Sequence, residues 1–162
     1  MSTKETVKTT IREFFSKFDF DYLKISIPFA ETEISFNNSD TIAAWEMYVE
    51  LITRITIQTL PGNSGDERSA LESVHSLFAT TRSILKEHGR KGQAFSKIAI
   101  VVLNQAIRPF TAKWHRISLE PDIDLGTEFR EELESLRNEL LKYAKALAAI
   151  AKVEDISSFV CE

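Results

Sequence analysis

Cysteine occurs once in the 162 residues, as Cys161, so the chain has no internal disulfide and no Cys-x-x-Cys metal or redox motif. Proline (four) and glycine (five) are scarce, which excludes collagen-like and linker-rich chains. No unbroken apolar run exceeds the six residues of Ile98 to Leu103, far short of the ~20 residues that a membrane span needs. The opening Met-Ser-Thr-Lys-Glu lacks the apolar stretch of a secretory signal, which sets the expectation of a cytoplasmic protein. A Gly-rich phosphate loop and a nucleophile elbow are also missing. What is present suits a folded domain: 43% hydrophobic and 27% charged residues, a composition that excludes disorder. The length fits one domain covering residues 1–162, large enough to bury roughly 70% of its unfolded surface.

The net charge of −4 gives no general reason to expect nucleic acid as a partner, but the charge is segregated. Arg82 to Arg116 carries eight basic residues against Glu87 alone, and Leu119 to Glu139 carries eight acids against Arg130 and Arg137. The basic stretch lacks the interleaved aromatics of a base-stacking surface. Internal complementarity, or an oriented contact with another protein, is the simpler reading.

Hydrophobic periodicity lays out the elements. Ser2-Thr3-Lys4-Glu5 has capping-box form ahead of an apolar stripe at Val7, Ile11, Phe14 and Phe18, predicting an N-terminal helix within residues 1–19. Leu23, Ile25, Ile27 and Phe29 then alternate with polar or small residues, as do Ile34 and Phe36, predicting a β-hairpin over 20–37 that turns around Pro28 to Glu31. Asn38-Ser39-Asp40 offers N-caps for a second helix, Thr41 to about Leu60. Asp66 caps a third that ends at His88 before Gly89, with Leu71, Val74, Phe78 and Leu85 inward.

A fourth helix starts near Gln93; its Ile98–Leu103 run predicts burial on all sides, and Pro109 predicts a kink or break before Phe110 to Arg116. Thr127 is expected to cap the fifth helix. Its Phe129, Leu133, Leu136, Leu140, Tyr143, Leu147 and Ile150 repeat at alternating spacings of four and three. The expected fold is mainly α: an up-and-down four-helix bundle over 38–155, with the extra N-terminal helix and small hairpin packed on it.

Few residues suggest chemistry. Arg108 to His115 and Arg82 to His88 fit the loose Arg–His spacing of HEPN-type ribonucleases, themselves helical bundles. That resemblance implies a metal-independent ribonuclease in which Arg108 holds the scissile phosphate and His115 transfers the proton. Against it, Pro109 stands between the pair, and a plain structural reading pairs Arg108 with a carboxylate and sets His115 at a helix end. Glu72-Ser-Val-His75 has the Glu-x-x-His form of di-iron bundles, but neither His88 nor His115 has the matching Glu. A three-histidine metal site from His75, His88 and His115 is conceivable but needs a fold that gathers them. Glu46, Glu50 and Arg54 share a stripe on which Glu50 and Arg54 stand in the favourable i,i+4 order; the alternative is a buried ionic cluster with Arg82 or Arg108. No metal or other cofactor is expected.

The strings Ile107-Arg-Pro-Phe-Thr-Ala-Lys-Trp-His-Arg116, Phe129-Arg-Glu-Glu-Leu133 and Ala148-Ala-Ile-Ala-Lys-Val-Glu-Asp155 resemble a set of uncharacterised bacterial helical proteins. The resemblance implies no activity. It implies a place in a bacterial multi-gene, defence-type system, and a defined corner at Pro109, Trp114 and His115. The leading functional expectation is a non-enzymatic adaptor that self-associates or docks on a larger protein. Tyr22, Leu23, Ile25, Ile34 and Phe36 of the hairpin, with Arg108, Lys113, Trp114 and Arg116, are its candidate contacts. The alternative is the ribonuclease using Arg108 and His115.

Overall fold

The computed structural model describes residues 7–20, 26–54, 67–120 and 125–160. The protein is mainly helical, with one small two-stranded antiparallel sheet. Strand β1 (Thr9–Thr10) leads into α1 (Ile11–Lys17); α2 (Ile27–Ala30) and β2 (Glu33–Ile34) follow. The bundle consists of α3 (Asn38–Ile52), α4 (Glu67–His88), α5 (Gln93–Val102), α6 (Arg108–Ser118) and α7 (Gly126–Ala151), and a short 3₁₀ turn (Ser157–Val160) ends the described chain.

The small sheet has different partners from those expected. Ile34 pairs with Thr9 and Glu33 with Thr10, so the strands come from either side of α1 and not from a hairpin within 20–37. Residues 27–30 form a helical turn: Ala30 N–H donates to Ser26 C=O, and Pro28 sits in the first turn, where its missing N–H costs no hydrogen bond. Residues 21–25, including Tyr22, Leu23 and Ile25, lie outside the described residues.

Helix α1 starts later than predicted. Thr10 caps it by accepting from Glu13 N–H, and Val7 is left exposed before the strand. A β-branched Thr-Thr pair favours extended backbone and then supplies the cap, so the stripe loses its first residue. Farther along it, Phe14 packs with Phe15, Phe18 and Phe36.

Helix α3 lies against α4, α5 and α7 and forms the centre of the bundle. Its cap is Asn37, one residue earlier than expected. Asn37 accepts from Asp40 N–H while the Asp40 carboxylate accepts from Asn37 N–H at 2.8 Å, a reciprocal capping box. The second Asp40 oxygen accepts from Phe95 N–H at 2.9 Å, in the first turn of α5. One buried carboxylate therefore satisfies the start of two helices. Gly92 makes this approach possible, since a Cβ there would lie 3.2 Å from both Asp40 N and Asp40 Oδ1.

On α4 the buried stripe is Ala70, Leu71, Val74, Leu77, Thr81 and Ile84; the predicted Phe78 and Leu85 are only partly buried at its edge. Gly89 ends the helix by close approach: a Cβ would come within 2.5 Å of Leu85 C=O. The Ile98–Leu103 run is not buried all round, because Ile100 is 43% exposed. Pro109 does not break the rod. The chain passes through a π-helical turn, Leu103–Ile107, closed by Arg108 N–H on Leu103 C=O, and continues as α6 with Pro109 in its first turn.

Helix α7 buries every residue of the predicted seam, from Phe129 to Ile150. Its entry differs, with Leu125 as N-cap, no side-chain cap and Gly126 at φ +70°, so Thr127 is already helical. α3, α4, the α5–α6 rod and α7 make the four rods of the bundle, with α6 set against α4 and α7.

Candidate functional site between α4 and α6

Helices α4 and α6 run antiparallel, as three cross-contacts in reversed order show. Arg68 donates to Ser118 C=O at 2.8 Å, His75 faces His115, and Phe78 lies under the Arg108 guanidinium at 5.0 Å. On α4, His75 precedes Arg82 by seven residues; on α6, Arg108 precedes His115 by seven. Seven residues make about two helical turns, so each pair shares one face. Antiparallel packing then sets imidazole opposite imidazole, with both guanidinium groups on the same groove.

The groove has a volume of about 400 Å³ and is lined by His75, Phe78, Arg82, Arg108, Thr111 and His115 among others. A second cavity of about 320 Å³ shares His75, Ser76 and His115 and extends past Arg68 and Glu72. The two imidazoles lie 6.0 Å apart, centre to centre, with planes 22° from parallel. Both are exposed, and among the described residues neither has a hydrogen-bond or ion-pair partner; nor does Arg82 or Glu72. Arg108 donates to Asn104 Oδ1 at 3.0 Å rather than to a carboxylate, which corrects the structural reading of its sequence spacing. His115 does sit in the last turn of α6, where a positive charge is favoured. The floor is polar but already used: Ser76 Oγ accepts from Arg54, and the Thr111 hydroxyl donates to Ile107 C=O.

The other candidates disperse. His88 is about 20 Å from His75 along α4 at 1.5 Å per residue, so the three histidines do not converge. His88 Nε2 instead meets Glu46 Oε1 at 3.0 Å, which also separates it from Arg82. Glu46, Glu87 and His88 bring one ligand atom each within 4.8 Å of one another, a grouping that no sequence spacing signalled. Arg54 pairs with Glu50 at 2.6 Å and bonds Ser76 and Thr80, not a cluster containing Arg82 or Arg108.

The proposed contact residues divide. Ile34 is buried at 4% exposure and Trp114 at 2%, so neither is available to a partner, and Phe36 packs against the core. Trp114 Nε1 donates to Glu132 at 2.7 Å and its indole meets Phe129 edge-on. Lys113 bonds Glu128 at 2.8 Å and also Glu132, so the opposed charge runs meet here within one chain. Burial pushes the Glu132 carboxyl up, but the bonds from Lys113 and Trp114 outweigh it and hold it below the usual carboxylate range. Its partner Lys113 is pushed up by Glu128 and Glu132. Among the described members of that set, only Arg108 and Arg116 are exposed.

Among the described residues, no helix is long and apolar enough to cross a membrane. No protein-family profile, curated protein or solved structure matches the chain.

Proposed function

We propose that the protein is a metal-independent ribonuclease whose site is the α4–α6 groove. The observation that carries this reading is the convergence there of the His75 and His115 imidazoles with the Arg82 and Arg108 guanidinium groups. Two guanidinium groups can hold a phosphodiester through paired, charge-assisted bonds and stabilise the negative charge that grows as the fifth oxygen approaches phosphorus. An imidazole beside them takes the proton from the ribose 2′-hydroxyl. The nucleophile belongs to the substrate, so the chain needs no serine or cysteine at the site, and DNA, lacking the 2′-hydroxyl, is a binding competitor only. Incubation of an unstructured RNA oligonucleotide in EDTA tests this. Cleavage by the wild type and its loss in His115→Ala support the reading, and intact RNA with the wild type removes it.

An adaptor role stands as a second reading, supported by a different surface. Ile42, Trp45, Ile156 and Phe159 are exposed. Tyr48 joins two parts of this surface, lying 6.1 Å from the Trp45 ring and receiving a bond from Ile156 N–H. Sedimentation of the wild type and Trp45→Glu separates the readings: self-association that this variant abolishes supports the adaptor, and a monomer at all concentrations does not.

A further inference from the structure

We infer that His75 is a second catalytic residue of the groove, acting as the proton-transfer partner of His115. This rests on the ribonuclease reading and extends it to the class of mechanism. A single imidazole can take the 2′-hydroxyl proton, but the departing 5′-oxygen then leaves as an unprotonated alkoxide, a poor leaving group. The antiparallel His75–Arg82 and Arg108–His115 pairs provide the missing donor, because they place two imidazoles on one groove with ring centres 6.0 Å apart. Neither imidazole has a hydrogen-bond or ion-pair partner among the described residues, so the ring nitrogens of both are available to substrate.

The step balances. One imidazole, neutral, accepts the 2′-hydroxyl proton as that oxygen bonds to phosphorus. The P–O5′ bond breaks, and the other imidazole, protonated, gives its proton to the 5′-oxygen. The products are a 2′,3′-cyclic phosphate and a 5′-hydroxyl, and the imidazoles end with their charges exchanged. No metal, oxidant or further co-reactant enters. The charged groups facing the pair are Arg68, Glu72 and Arg82 from α4 and Arg108 from α6, with Arg54 behind Ser76. Guanidinium groups dominate this set, so the groove presents the positive charge that a phosphodiester anion needs.

The experiment measures cleavage of an end-labelled single-stranded RNA from pH 5 to 9 by the wild type, His75→Ala, His75→Gln and His115→Ala. Both His75 variants remove an exposed ring and should keep the wild-type circular dichroism spectrum. The expected result is a loss of about 10²- to 10⁴-fold in rate for each histidine replaced. The wild-type rate should rise and then fall with pH, and each single variant should keep only one of those two limbs. The termini formed should be 2′,3′-cyclic phosphate and 5′-hydroxyl. If both His75 variants cleave at the wild-type rate while His115→Ala is inactive, the role of His75 is wrong and the ribonuclease reading stands. If the wild type leaves the RNA intact, both are wrong.

Discussion

Asp40 offers the sharpest test of how the bundle is held, because one carboxylate accepts from Asn37 N–H at 2.8 Å and from Phe95 N–H at 2.9 Å. Each is a hydrogen bond to a charged group, worth about 1.5–3 kcal/mol. Asp40 is 1% exposed, so water cannot replace the oxygens once they are removed. Asp40→Ala deletes both bonds and leaves the buried Phe95 N–H without a partner; the expected loss is about 3–6 kcal/mol. Asp40→Asn keeps one carbonyl oxygen but points an amide NH₂ at the other donor, so about half of that loss is expected. Equilibrium urea unfolding followed by circular dichroism measures both, with the midpoint falling at an unchanged slope. A loss below about 1 kcal/mol for Asp40→Ala, or equal losses for the two variants, would refute the double-cap account.

Tyr143 is fully buried with a hydroxyl that has no partner among the described residues, and burial pushes its pKa well up. Tyr143→Phe should therefore be neutral or stabilising by up to about 1 kcal/mol in the same assay. Trp114→Phe keeps the edge-on contact with Phe129 but loses the bond to Glu132, and should cost about 1.5–3 kcal/mol. Glu132 is depressed in the folded state, so its contribution is fully present above the usual carboxylate range and lost as pH falls through its lowered value; thermal melts should show Glu132→Gln flattening that acid limb. Gly89→Ala should lower the melting temperature, since the added methyl meets the Leu85 carbonyl at 2.5 Å.

Helix α7 was legible because its apolar seam recurs over seven positions and local pattern and tertiary contact agree there. The small sheet was not, because β1 and β2 are two residues each and their pairing across α1 is a tertiary fact that period-two alternation does not encode. Pro109 reads as a kink or break if an α-helical ladder is assumed; a π-helical turn before it relieves the conflict. At the site, Arg108 and His115 were found as a spacing within one helix. Their partners were hidden, since Arg82 was paired with His88, five residues between them, rather than with His75. The signal was present: His-x₆-Arg on one helix mirrors Arg-x₆-His on another, and two such faces match in order when the helices pack antiparallel with those faces together.

The π turn at Leu103–Ile107 carries a consequence for how this groove tolerates change. It amounts to one extra residue wound into an otherwise α-helical rod, and every side chain beyond it is swung by about 100°, the angle one residue occupies. Whether Arg108 and His115 look toward α4 is thus encoded as a count of residues, independent of their chemistry. Conservative replacements along 103–107 leave that phase alone, whereas deleting a single residue there turns the basic face away from His75 with its amino acids intact.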